Sequence, residues 1–277
     1  LVSSSNQKND DAIRFFNSSK FLINKHDNFL KEYLYSLILD GKVKKAIKQT
    51  KRSNNLKFFE SNLLLTLDSL TKKKYSEAAQ RLKKLSSFQQ NGTYEFVIIK
   101  TLESYNYLFL NKKVKNKNQN LGRIDLITDA FQNCYLNSNK AHTHFLNLIN
   151  SPESDYSRYL FFYLSKIIEN KDFKTAKKIS NTIDPLRSGL LISQAKKWID
   201  DKNTDRFSEY FSCKNENDLL AEFFFLISNL YSSQDRFEKS NFYLNISNYL
   251  NPKFYFNLSL IAENYFSKNK FDLTKKI

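Results

Sequence analysis

At 277 residues with 41% hydrophobic content, the chain has enough apolar material to bury a substantial core of one or two domains, which argues against disorder of the whole chain. Four Gly and three Pro are too few for the turns of a β sandwich or the phosphate loops of an α/β enzyme, so long helices joined by polar bends are expected. The net charge of +16 admits an anionic partner, but the cations are mostly Lys rather than the guanidinium fork that recognises phosphate. Enrichment in Lys, Asn, Phe, Ile and Tyr is also what AT-rich codons produce, so solvated lysine faces are the ordinary account and nucleic acid is not the expected partner.

Residues 1–110 are expected to hold the second helix of one repeat, two helix pairs and a further apolar helix at Tyr94–Leu110. Leu30, Tyr33, Leu34 and Leu37 stand at i, i+3, i+4 and i+7, the stripe of an amphipathic helix, and a partner helix from Ser76 to Leu85 carries Ala79, Leu82 and Leu85. His26, in INKHDN, suits a solvated turn. The run NKKVKNKNQN at 111–120, with four Lys and no aromatic group for base stacking, predicts an exposed loop or hinge dividing the chain from a second helical block at 121–277. Helical periodicity resumes at Ile124, Ile127, Phe131 and Tyr135. A capping signature follows at Ser151, with Pro152 at a helix start and Glu153 in its first turn. Leu160, Tyr163, Leu164 and Ile167 form another stripe, and Trp198, near Ala195 and Leu191, suits core packing rather than a ligand platform. No apolar run is long enough to predict a membrane-spanning helix.

An internal period emerges when segments of the form aromatic or apolar, two spacers, small residue are aligned: Asn9–Ala12, which opens on a polar Asn, then Val43–Ala46, Tyr75–Ala78, Phe173–Ala176, Phe237–Ser240 and Phe271–Thr274. The small residues are separated by 34, 32, 98, 64 and 34 positions, close to multiples of one unit of 32 to 34. A small residue is needed where two antiparallel helices cross closely, because a large one would hold the backbones apart. The expected fold is all-α, a right-handed solenoid of antiparallel helix pairs.

The segment Asp218–Ile277 resembles one complete tetratricopeptide (TPR) motif and most of another. Pro252 matches the proline closing the unit, Tyr231 and Tyr265 the late aromatic of the first helix, and Phe237 and Phe271 the opening of the second. Gly41, in DGKVKKAI, matches the small turn residue, and the ordering as a whole is similar to alphaproteobacterial TPR proteins. Ser240 and Thr274 depart from the usual alanine. The resemblance implies a concave groove binding a protein or peptide, with Phe225, Asn229, Ser232 and Ser233 facing it from one repeat and Phe256, Ser259 and Glu263 from the next. Asn229 would hold a bound peptide backbone, whereas Phe225 and Ser259 stand where a chaperone-binding carboxylate clamp needs cations.

Catalytic chemistry lacks its starting residues. No GxSxG, GxGxxG, GxxxxGK or HExxH occurs, and helix capping accounts for the carboxylates. His142 and His144, two apart on a helix, point away from each other, and Cys134 before them has no acidic cluster beside it, so neither metal nor cofactor is expected. Cys134 and Cys213 cannot build a disulfide framework and lie in no CxxC pair, so two small core or half-exposed thiols are expected. The absence of Met and of a signal peptide, with an end inside an unfinished repeat, suggests a fragment or trimmed product, leaving cytoplasm and periplasm both open. The expectation is a non-enzymatic scaffold for protein association; the alternatives are a Lys-rich binder of RNA or an anionic membrane surface, and a helical accessory region of a larger enzyme.

Overall fold

The computed structural model describes residues 9–22, 27–53, 56–88, 90, 92–116, 120–150 and 158–277. His26, the signature at 151–153 and positions 117–119 of the basic run lie outside the described residues. Among the described residues the regular structure is helical, without strands. In chain order come α1 (Asn9–Ser18), α2 (Asp27–Leu39), α3 (Val43–Arg52), α4 (Phe59–Thr71), α5 (Tyr75–Leu85) and α6 (Tyr94–Asn111). Then follow α7 (Arg123–Tyr135), α8 (Lys140–Ile149), α9 (Arg158–Glu169), α10 (Phe173–Ser180), α11 (Leu190–Asp200) and α12 (Asp205–Tyr210). The last four are α13 (Glu216–Ser232), α14 (Phe237–Leu250), α15 (Leu258–Ser267) and α16 (Phe271–Thr274).

The helices are paired by one corner used repeatedly. Gly41, Lys73, Asn137, Lys171, Lys202, Asp235 and Asn269 all have φ between 52° and 71°, the left-handed region, and each stands just past a helix end. The amide of each donates to the carbonyl three residues back, and the amide of the next residue donates to the carbonyl five back, as in Gly41 to Ile38 and Lys42 to Leu37, or Lys171 to Ile168 and Asp172 to Ile167. These two bonds satisfy carbonyls that a helix end leaves without an intrahelical partner, the Schellman arrangement. Successive corner residues are 32, 64, 34, 31, 33 and 34 positions apart. Two residues beyond five of them the partner helix opens, at Val43, Tyr75, Phe173, Phe237 and Phe271. Three residues further, Ala46, Ala78, Ala176 and Ser240 are buried, at 0%, 0%, 1% and 0% exposure, where the helices meet. Ala79, grouped with the apolar stripe of its helix by sequence, is exposed, because Ala78 occupies the crossing.

Contacts divide the chain into two compact units, one of residues up to 111 with 220–277, the other of 112–219. The first boundary coincides with the start of the basic run. The second separates 220–277 from the block 121–219 with which the sequence suggests it belongs, since no composition change marks position 220.

In the first unit, neighbours in sequence pack from α1 through α6, and α14 crosses α2 and α3. A linear stack of repeats makes only nearest-neighbour contacts; here residues about 200 positions apart touch. Asn245 Nδ2 donates to the Leu39 carbonyl at 3.2 Å, Lys239 Nζ donates to Glu60 Oε1 at 3.1 Å, and Tyr35 stacks on Phe242 with centroids 4.8 Å apart. Lys239 also lies over the Tyr35 ring, 5.3 Å from its centroid, and burial pushes the Tyr35 phenol far above its ordinary range.

The core of the second unit is aromatic. Phe131 makes edge-to-face contacts with Phe145, Tyr159, Phe162 and Phe211, a geometry that sets positive ring edges against negative faces. Trp198 stacks on Tyr210 and meets the edge of Phe207, so it is a core residue at 7% exposure. The expectation of free thiols is overturned: Cys134 and Cys213, 79 positions apart, form a disulfide. Phe131 and Phe211, which precede the two cysteines by three and two residues, pack together and bring the sulfurs to one place.

Candidate protein-binding face

The seven residues proposed for a groove lie on α13, in the turn just past its end at Ser233, in the turn before α15 and on α15, so the packing of α13, α14 and α15 decides what they present. Four are exposed: Asn229, Ser233, Ser259 and Glu263. Ser233 and Ser259 spend their hydroxyls on carbonyls three residues back, Leu230 and Phe256. Phe225 is half-buried against a cluster of Leu244, Leu260, Ile261 and Tyr265, so its ring contributes to cohesion of the helices. Phe256, half-buried, stacks with Tyr255.

Ser232 leads to a residue the sequence did not single out. Its hydroxyl donates to Asn264 Oδ1 at 2.6 Å, and Asn264, 1% exposed, donates through Nδ2 to Ser240 Oγ at 2.9 Å and Asn241 Oδ1 at 2.7 Å. One buried amide therefore ties α13, α14 and α15 together. This accounts for Ser240 where the TPR pattern has alanine: the position is small enough for the crossing, and its hydroxyl accepts a bond that Ala could not. The available signal was spacing, since Asn264 follows Ser232 by 32 residues. Thr274, the other departure, returns its hydroxyl to the Lys270 carbonyl.

A second surface lies on the other side of α15. A cleft of about 950 Å³ in the first unit is lined by an apolar floor including Leu39, Ile261 and Tyr265, with Asn245, Asn248 and Lys270 among its polar groups. None of the seven sequence candidates lines it. Burial pushes the Tyr265 phenol up and the Lys270 ammonium down, each favouring its neutral form. Asn245, which holds the Leu39 carbonyl, fixes the floor where α2 and α14 meet.

The basic surface has its densest stretch on α3. Lys44, Lys48, Lys51 and Arg52 stand exposed on one face of a helix without a carboxylate. Asp68 of α4 accepts from both Lys51, at 2.6 Å, and Lys72, at 2.9 Å. Burial raises the Asp68 pKa, but the bonds and charges of the two lysines outweigh it and hold the carboxyl below its usual range.

Among the described residues, no group of three or more His, Cys, Asp or Glu side chains is arranged to hold a metal ion. His142 is exposed with its Nδ1 2.5 Å from the Tyr163 hydroxyl, and Cys134 is committed to the disulfide. No described helix is long and apolar enough to cross a membrane. No family model, no curated protein and no solved structure matches the chain.

Proposed function

We propose that this chain is a TPR-type helical-repeat scaffold, a solenoid of helix pairs in its local construction, that associates with a protein partner and performs no catalysis. The corner motif recurring at about 32 to 34 residues supports the repeat reading, and the cleft supports association. The cleft is the observation that carries the proposal: an apolar floor takes side chains while the amides of Asn245 and Asn248 can bond a peptide backbone, the mixture expected of a binding site. The exposed Asn229 and Glu263 form a second face that a partner can use.

The test places a photo-crosslinking residue at Asn248, and separately at Glu263, in the full chain. Crosslinks to one defined protein from Asn248, lost in Lys270→Glu, support the cleft; crosslinks from Glu263 alone move the site to the α13–α15 face. Turnover of a substrate by the purified chain with no crosslinked protein would refute the scaffold reading.

A second reading, binding of RNA or an anionic membrane, is favoured by the α3 lysine face. Titration against RNA and anionic vesicles at two salt concentrations tests it. Steep salt dependence that Lys44→Glu and Lys48→Glu abolish supports it, and no binding at low salt removes it.

A further inference from the structure

Both cysteines of the chain are consumed in one bond, and that bond is buried: Cys134 is 0% and Cys213 2% exposed. Cys134 closes the last turn of α7, and Cys213 lies between α12 and α13. Next to them sits a polar cluster. The Tyr135 hydroxyl donates to Glu216 Oε1 at 2.7 Å, Lys112 donates to the same hydroxyl, and Lys112 Nζ lies 4.8 Å from the centre of the Tyr135 ring and 3.5 Å from Glu216 Oε1. Lys112 and Glu216 stand near the two points where the chain enters and leaves the second unit. The cluster thus holds the entering and leaving segments to one place, and the disulfide beside it fastens the end of α7 to the leaving segment.

We propose that the chain is a disulfide-stapled protein of an oxidising compartment, in which the Cys134–Cys213 bond fastens the end of α7 to the segment by which the chain leaves the second unit. The bond arises by thiol–disulfide exchange with a disulfide-bearing thiol oxidant. One cysteine thiolate attacks a sulfur of the oxidant, breaking its S–S bond and releasing the first thiol. The second cysteine thiolate attacks the mixed disulfide, forming the Sγ–Sγ bond and releasing the second thiol. Two electrons and two protons pass from the cysteine pair to the oxidant. The cysteines are 79 positions apart and meet only where Phe131 and Phe211 pack, so the bond follows assembly of that core; once made, its burial shields it from soluble thiols. Persistence of such a bond is a property of oxidising compartments, whereas the reducing cytosol keeps thiols free.

The full chain is produced in a reducing cytosol and, separately, by export to an oxidising compartment, then unfolded without reductant and its thiols counted with a maleimide. Two thiols are expected from the first and none from the second. Trp198 fluorescence in urea is expected to show the unfolding equilibrium constant of the second unit rising about a thousandfold on reduction, from the loop-closure entropy of that separation. The Cys134→Ser/Cys213→Ser double variant should match the reduced chain and ignore reductant. If that variant does not fold, mass mapping of the unaltered exported chain decides by presence of the 134–213 linkage. Two free thiols in the exported chain, equal formation of the bond in the cytosol, or equal stability of oxidised and reduced forms overturns the proposal.

Discussion

Lys171 is held at φ 63° by the corner between α9 and α10. An L side chain there sets its Cβ against the following carbonyl, at roughly 1–2 kcal/mol. Lys171→Gly removes that strain but returns backbone freedom to the unfolded chain, roughly 0.5–1 kcal/mol in the opposite sense. The difference predicts a gain of about 0–1.5 kcal/mol, centred near 0.75 kcal/mol. The measurement is urea unfolding followed by fluorescence of the single Trp, Trp198, which is buried in the same unit as Lys171 and reports its opening. Gly41→Ala supplies the reverse case, because Gly41 already has φ +71° and an added Cβ meets nothing closer than Asn245 Oδ1 at 3.9 Å. Space is available, so the same two effects act with their signs reversed, strain at φ +71° against the smaller freedom of an unfolded Ala, and a net loss of up to about 1.5 kcal/mol is expected by circular dichroism. Lower stability of Lys171→Gly, or a gain of stability in Gly41→Ala, would refute the assignment of these corners as strained and shared.

Asn264→Ala strands the buried Ser240 hydroxyl and Asn241 amide and removes the partner of the half-buried Ser232, and should cost about 2–3 kcal/mol in thermal unfolding, more than Ser240→Ala alone. A double-mutant cycle on Glu60→Gln and Lys239→Met should give a coupling of about 1–2 kcal/mol, because the Glu60 side chain is only 9% exposed; a coupling near zero would deny that this pair fastens α14 to α4. For Asp68 the folded carboxyl titrates lower than the unfolded one, so its stabilisation is complete above the unfolded pKa and fades as pH falls through the folded value. Asp68→Asn should therefore lose about 1 kcal/mol at neutral pH and lose its deficit relative to the parent in acid; a deficit that persists unchanged in acid would contradict this.

The helix pairs were legible because close packing leaves a mark on composition: Ala46, Ala78 and Ala176 are small where backbones cross, and the stripe of Leu30, Tyr33, Leu34 and Leu37 is fully buried. The corners were less so. Lys73, Lys171 and Lys202 adopt a conformation their side chains do not advertise, and the hairpins around Asn137 and Lys202 escaped the apolar-to-small series because the charged Lys140 and Asp205 open their second helices. The disulfide joins two residues with no characteristic spacing, since only the packing of Phe131 on Phe211 makes them neighbours. The seven groove positions rest on likeness to a family, and Phe225 shows the limit of that route: whether a ring faces a ligand or a neighbouring helix depends on contacts that no local pattern encodes. The same holds for the cleft, whose lining comes from both ends of the chain.

The crossing of α14 over α2 has a consequence for synthesis. Asn245 reaches back 206 positions to Leu39, with the whole second unit made in between. At roughly 5–20 residues per second the surface of α2 waits some 10 to 40 s for its cover on the ribosome, while residues 112–219 have time to fold first. Tyr35 and its neighbours are thus open to premature association throughout that interval, and slowing translation after residue 219 should raise aggregation of the nascent chain.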